Sequence, residues 1–218
     1  MARAIRQITG EIRVFEERPP DPNNYLVDGT KHRMLIDTCS TLNGNPYAGN
    51  PAFARLDSIV LTHPHFDHVA GIDYLPGVPV MAHQDAAAAV NSGDACVQLL
   101  HLTGVEAPQR KVGRGLIDGE ILDLGGVSLQ VVYTPGHCIG SICLYEEESK
   151  ALISGDTVFT GGALPRSDFP TSNPGELLDS YEKLLALEVN LILPGHGAVS
   201  SNGSAVIQNA LKLLEKSV

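Results

Sequence analysis

The 218-residue sequence predicts a layered α/β or α+β sandwich, and three observations carry that expectation. Short apolar runs fall in two groups, one ending near residue 82 and one between residues 120 and 154. Each group is followed by helix-like sequence, the arrangement in which a sheet buries one face under helices. Gly, Pro, Asn and acidic residues separate the runs, so the strands are short and closely connected.

In chain order, EIRVF (11–15), NNYLVD (23–28) and HRMLID (32–37) read as strands, with Asp28-Gly29 supplying a hairpin turn between the last two. Gly and Asn crowd residues 43–50, which marks a loop. SIVLT (58–62) and VPVMA (78–82) continue the first group, and the alanine-rich stretch from Gln84 to Val90 and CVQLLHL (96–102) read as helices. EILDL (120–124), VSLQVVY (127–133), SICLYE (141–146) and ALIS (151–154) form the second group. The chain then reads helix, strand, helix: GELLDSYEKLLAL (175–187), NLILP (190–194) and SAVIQNALKLLEK (204–216). Apolar residues at 206, 207, 210, 211 and 214 make one stripe on the last helix, as core packing requires. No repeat or linker interrupts this order, so one domain is expected over residues 1–218, long enough to bury a core unaided.

Fifteen Lys and Arg against twenty-five Asp and Glu give a net charge of −10. That balance argues against nucleic acid or an anionic membrane as partner, because phosphate binding needs clustered cations. No run approaches the roughly 18 apolar residues of a spanning helix. Arg3, Arg6, Glu11 and Arg13 break the apolar continuity that a secretory signal requires. Cys39, Cys96, Cys138 and Cys143 are too sparse for a disulfide scaffold. The expectation is a cytoplasmic protein acting on a small molecule.

Four apolar runs stop at a short turn whose next residues are metal-type donors. SIVLT runs into His63-Pro64-His65-Phe66-Asp67-His68, LQVVYT into Pro135-Gly136-His137, ALIS into Gly155-Asp156, and LILP into Gly195-His196-Gly197. Ligands gather beyond the carboxyl ends of strands in layered folds, so these junctions are expected to share one rim. Pro64 pushes His63 into an extended conformation. Side chains at i and i+2 then face the same way, so His63 and His65 can pinch one ion while the turn carries Asp67 and His68 elsewhere. Five of the eight histidines sit at these junctions, and Asp67 and Asp156 raise the donors to seven. One zinc takes three or four protein ligands. Seven donors therefore imply two ions roughly 3.5–4 Å apart, sharing a carboxylate and a water or hydroxide. A lone Pro-Gly-His is commonly a solvated turn, but His-x-His-x-Asp-His is costly to place by surface chance. Structural zinc sites are closed and cysteine-rich; this set has no cysteine pair, which favours catalysis.

THPHFDHVAG, TPGH, SGDTVF and PGHG, in this order, resemble the metallo-β-lactamase superfamily and, within it, the small glyoxalase II-like (hydroxyacylglutathione hydrolase-like) metallo-hydrolases. NNYLVDG followed by MLIDT, and SDFPTSNPGELLDSYEKL after GDTVF, are similar to further segments of that group, so the resemblance covers roughly residues 24–200. It implies the metallo-β-lactamase fold, an αβ/βα four-layer sandwich with metals in a cleft at the sheet rims. It also implies that His63, His65 and His137 hold a first ion, that Asp67, His68 and His196 hold a second, and that Asp156 bridges. Two divalent ions follow, zinc foremost with iron or manganese as alternatives. Asp67 and His196 are the implied catalytic residues, and the implied reaction is hydrolysis of a thioester by a hydroxide between the ions. Two divalent cations, two carboxylates and one hydroxide leave the site near +1, which suits an anionic substrate.

Several positions depart from the family pattern. Cys39 stands where IDTG is usual, Cys138 and Ile139 alter TPGHTPGS, and Pro165-Arg166-Ser167-Asp168-Phe169 alters GR[ST]DF. Only 22 residues follow His196, too few for the helical domain with which longer glyoxalase II enzymes resemble glutathione-binding proteins. Arg166, in the loop after Asp156, is the candidate anion contact, with a surface salt bridge as its plain alternative. Other readings keep the fold but change the chemistry: a mononuclear iron persulfide dioxygenase using two His and an Asp, or a lactone or ester hydrolase. More remote are a non-enzymatic metal-binding module and a Cys138 nucleophile in Gly136-His137-Cys138-Ile139-Gly140. Such an elbow needs strand, turn and helix, whereas residues 141–146 alternate like a strand. Cys39, Cys96 and Cys143 are expected as small buried hydrophobes, Glu146-Glu147-Glu148 as a solvated hairpin tip, and His32, His83 and His101 as structural or surface residues. Gly161-Gly162 could offer backbone N–H groups to an anion, though loop geometry accounts for it equally well.

Overall fold

The structure, a computed structural model, describes residues 5–16, 19–161 and 163–217. Residues 1–4 of the segment read against a secretory signal, and Gly162 of the glycine pair, lie outside the described residues. Among the described residues, twelve strands form two sheets. The first runs in chain order through β1 (Ile5–Gln7), β2 (Ile12–Phe15), β3 (Asn24–Asp28), β4 (Arg33–Ile36), β5 (Ser58–Leu61), β6 (Val80–His83) and β7 (Arg114–Leu116). Its first four strands are antiparallel, and β4 through β7 are parallel. The second contains β8 (Ile121–Asp123), β9 (Ser128–Tyr133), β10 (Ile142–Glu146), β11 (Ala151–Gly155) and β12 (Leu191–Pro194), with β12 parallel to β11 and the others antiparallel. The helices are α1 (Phe66–Val69), α2 (Gln84–Ser92), α3 (Pro174–Leu185) and α4 (Gly203–Glu215).

Alternation along the strands sends successive side chains to opposite faces, and both faces here are apolar. Val14, Tyr25, Val27 and Ile36 of the first sheet meet Leu129, Val131, Leu144 and Ile153 of the second in one buried cluster. On the other face of the first sheet, Leu26, Leu35, Ile59 and Leu61 pack with Ala86 and Val90 of α2. Outside the second sheet, Val132, Leu152 and Ile192 pack with Leu177, Tyr181 and Leu184 of α3 and Ile207, Ala210 and Leu214 of α4. Helix, sheet, sheet, helix is therefore the layer order. Asn173 caps α3 by accepting from the backbone N–H groups of Gly175 and Glu176, and Pro174 opens the helix where no N–H is needed. Among the described residues no helix is long and apolar enough to cross a membrane.

Three local expectations change. CVQLLHL supplies only a single 3-10 turn, Leu100–Leu102. The Asp94 carboxylate caps a first turn through the N–H groups of Cys96 and Val97, but Leu99 turns left-handed at φ 59° and ends it, so no α-helix propagates. Cys96 is accordingly exposed, unlike buried Cys39 and Cys143. Glu146 is buried rather than solvated, because its carboxylate caps the turn through the N–H groups of Glu148 and Ser149.

Two sets of bonds join the sheets at one rim. Ile142 N–H, where β10 begins, donates to Thr62 O, just past β5, at 2.8 Å. The Asn23 side chain and the Tyr25 hydroxyl donate to Pro194 O, and Asn23 also reaches Gly197 O, which fixes the loop carrying His196 against the first sheet. The carboxyl ends of β5, β9, β11 and β12 consequently face a common space.

Candidate metal centre and active-site cavity

Asp37 follows β4 and anchors the centre from behind. Its backbone is left-handed at φ 60°, which a residue with a Cβ adopts at a cost. Its buried carboxylate accepts Thr62 N–H at 2.7 Å, the Thr62 hydroxyl at 2.7 Å and His68 Nδ1 at 2.8 Å. The Thr62 hydroxyl has one proton and gives it to that carboxylate, so His63 Nδ1, 3.0 Å away, donates to the Thr62 oxygen. His137 Nδ1 likewise donates to the carbonyl of Arg166 at 3.2 Å. In the neutral forms of His63, His68 and His137, these acceptors assign the ring proton to Nδ1 and leave the Nε2 lone pair bare.

The bare nitrogens converge. His65, extended at φ −65° and ψ 146° before α1, brings Nδ1 to 3.1 Å from His137 Nε2. One turn of α1 then presents Asp67 and His68. His68 Nε2 lies 3.3 Å from His196 Nε2, and His196 Nε2 lies 3.1 Å from Asp67 Oδ2. Asp156 reaches both sides, with Oδ1 at 3.3 Å from His68 Nε2 and Oδ2 at 3.7 Å from His137 Nε2 and from His196 Nε2. Three overlapping triads result: His63/His65/His137, His63/His68/Asp156 and Asp67/His68/His196, each with donor atoms within 4.8 Å of one another. All seven donors singled out from the strand ends thus meet in one place.

Burial and charge prepare these groups unequally. Burial and the neighbouring imidazoles hold His63 well below the ordinary histidine range; burial and His137 bring His65 down to about 3; and burial lowers His137. Those rings are neutral, the state in which imidazole binds metal. Burial also disfavours charge on His68, but Asp37, Asp156 and Asp67 outweigh it and raise the ring well above its usual value. Burial opposes ionisation of Asp156 and Asp67 too, and His68 and His196 overcome it, so both stay carboxylates. His63 Nε2 is buried without a hydrogen-bond partner. An orphaned lone pair among convergent nitrogen and carboxylate donors fits a divalent cation, which supplies what the protein itself does not. The cluster is therefore capable of binding metal.

Two glycines permit this approach. A Cβ on Gly195 would lie 2.3 Å from Asp156 Oδ1 and 2.8 Å from His68 Cε1, and one on Gly155, at φ 48°, would lie 2.6 Å from Thr62 Oγ1.

A cavity of about 550 Å³ opens onto the cluster, within the usual size of small-molecule sites. His65, Asp67, His137, Asp156 and His196 line it together with apolar residues that include Phe66, Leu99 and Phe169. Arg166 stands at this cavity with its guanidinium paired to Asp168 at 2.9 and 2.7 Å and 4.3 Å over the Phe169 ring. Its carbonyl, not its guanidinium, reaches His137. Neither Cys39 nor Cys138 is among the described lining residues. Cys39 is buried where a Cβ on Gly71 would collide with it, and burial pushes its thiol up to about 11. Burial likewise pushes the Cys138 thiol far above its usual value, and strand β10, not a helix, follows it, so the nucleophile elbow does not form. His83 is buried and stacked on Tyr133 at 4.2 Å, outside the cluster. Sequence reasoning missed Asp37 and Thr62, although Asp37 also ends an apolar run. Phe169 lies in the segment that departs from GR[ST]DF, whereas Leu99 carried no signal.

The family model of the metallo-beta-lactamase superfamily matches residues 18–196. The acyl-coenzyme A thioesterase MBLAC2 of Gallus gallus is 32% identical over 210 residues, covering 84% of this chain and 74% of that protein. The probable metallo-hydrolase YqgX of Bacillus subtilis is 38% identical over 150 residues, covering 64% of this chain and 68% of its own length. Among solved structures, the metallo-beta-lactamase family protein TTHA1429 of Thermus thermophilus aligns with a TM-score of 0.76 at 22% identity, over 96% of this chain and 81% of that one. TTHA1623, solved in a di-iron-bound form, aligns with a TM-score of 0.70 at 29% identity, over 86% and 93%. With its paired sheets between helices, its donors gathered at one rim and a family match over most of its length, this chain has the metallo-β-lactamase fold and belongs to the metallo-beta-lactamase superfamily.

Proposed function

We propose that this superfamily hydrolase cleaves thioesters, in the manner of the small glyoxalase II-like enzymes, at a centre of two divalent ions. The observation that carries the reading is the set of seven converging donors, five of which line one cavity, with His63 Nε2 buried and bare. His63, His65 and His137 would hold one ion and Asp67, His68 and His196 the other, with Asp156 between them. Such ions, zinc foremost, lower the pKa of a water they bind to about 7 and polarise a carbonyl oxygen. The chain's own residues do the rest. Asp37, Thr62 and the Arg166 carbonyl hold three rings in one tautomer. Asp67 presents an ionised carboxylate to the cavity, where it would hold the second ion and orient the attacking hydroxide. His196, whose side chain is 32% exposed, faces the same space beside it. Arg166 is the candidate contact for an anionic group on the thiol side, in exchange for Asp168. The name of MBLAC2 as an acyl-coenzyme A thioesterase and the two irons of TTHA1623 support the reading.

Protein purified without chelator and assayed with a thioester, a lactone and glutathione persulfide tests it. Thioester turnover that a chelator abolishes and zinc restores is expected. Oxygen uptake with the persulfide and no thioester turnover would overturn the assignment.

A further inference from the structure

Away from its donors, the cavity is walled by Phe66, Leu99, Leu102, Phe159, Leu164 and Phe169. Three features of that wall stand out. Leu102 is 55% exposed, a large apolar side chain left open at the cavity. Leu99 keeps a left-handed backbone, φ 59° and ψ 24°, that a side chain with a Cβ resists, and with it is buried to 4%. Phe66, Leu99 and Leu100, with Phe169 against them, form a small cluster of their own, separate from the cores between and outside the sheets. Apolar surface and backbone strain gathered at a cavity point to a ligand site. Away from the donors, Thr160 and Arg166 are already engaged. Thr160 donates to Ala198 O, and Arg166, the cation other than histidine among the described lining residues, is paired with Asp168.

We infer that this wall is an acyl-chain subsite: Leu99, Leu102 and Phe169 hold an apolar chain whose carbonyl sits at the Asp/His cluster. The enzyme thereby selects apolar acyl thioesters over short or hydroxylated ones, and Leu102 sets the preference. The inference rests on the thioester reading for its chemistry and on the cavity for its specificity.

N-acetylcysteamine thioesters from butanoyl to octanoyl share one neutral thiol half, so a chain-length series reads the acyl subsite alone. Each added methylene raises kcat/KM about three- to fourfold, the equivalent of about 0.8 kcal/mol per buried CH₂. Leu102→Ser lowers the octanoyl-to-butanoyl ratio about fivefold, whereas Leu213→Ser, at an exposed leucine of α4, keeps the parental ratio. A second measurement is independent of turnover. S-octyl-N-acetylcysteamine, a thioether with no thioester bond to hydrolyse, binds the metal-free protein in calorimetry and binds the Leu102→Ser variant more weakly. If no thioester is cleaved but the thioether binds in this Leu102-dependent way, the thioester reading fails and the apolar subsite stands. A flat chain-length series with no thioether binding overturns the subsite while leaving thioester hydrolysis intact.

Discussion

Replacing Asp37 with Asn disturbs the centre selectively, because the side chain keeps its shape and one of its acceptors. Asp37 Oδ1 takes the Thr62 N–H, and Oδ2 takes both the Thr62 hydroxyl and His68 Nδ1–H. In the Asp37→Asn variant an NH₂ group stands where Oδ2 was, and two donors face a donor. The hydroxyl can rotate, but the imidazole must move its proton to Nε2, the atom 3.3 Å from His196 Nε2 and from Asp156 Oδ1. That proton occupies the lone pair an ion would need. Removing such an outer partner weakens metal binding about 10- to 100-fold, or about 1.4 to 2.8 kcal/mol. Competition titration of stripped protein with a chromophoric chelator, run beside urea unfolding, measures it. The weaker of two binding steps should fall by that factor in a variant that remains folded, with the tighter step changed less. Parental affinity at both steps in folded Asp37→Asn protein would refute the account of how His68 is oriented.

Further expectations follow from the same geometry. Gly195→Ala places a methyl group 2.3 Å from Asp156 Oδ1, so metal content by elemental analysis should drop below the parental value while far-UV circular dichroism is retained; unchanged content would contradict the close approach. Cys138→Ser should keep turnover within about tenfold while chelation abolishes it, and the opposite pattern would restore Cys138 as nucleophile. In metal-free protein, the folded-state pKa of His65 is about 3, and those of His63 and His137 also lie below the ordinary 6.5. Below pH 6.5 the unfolded chain therefore takes up protons that the folded one refuses, and stability falls by up to about 1.4 kcal/mol per pH unit per ring. His68 and His196 are raised, so their contribution is fully present below pH 6.5 and is lost as pH climbs through their folded values. Urea midpoints of stripped protein should peak near pH 6.5, and a steady rise from pH 5 to 9 would contradict these shifts.

The seven donors were readable because each lies where an apolar run ends in Pro or Gly, and such ends gather in a layered fold. Most strands were readable for the same reason, since both faces of each sheet are buried and the runs are apolar throughout. The three-residue edge strands β1, IRQ, and β7, RGL, carry too few apolar positions to show a period. The segment 96–102 has helical apolar spacing but no α-helix, because the left-handed Leu99 breaks the turn that Asp94 caps. Asp37 and Thr62 escaped notice because their roles are defined by bonds to residues distant in sequence or by the sharing of one hydroxyl proton. The apolar wall was hidden for a related reason: Phe66, Leu99 and Phe169 come from three separated segments, and only the folded chain places them at one cavity.

The central claim, thioester hydrolysis at a two-ion centre, meets its most direct test when zinc is titrated into stripped protein while thioester turnover and bound metal are followed together. The account predicts that bound zinc saturates at about two ions per chain and that turnover reaches its plateau only as the second binds. Full turnover at one ion per chain, or two bound ions with no thioester turnover, would contradict it.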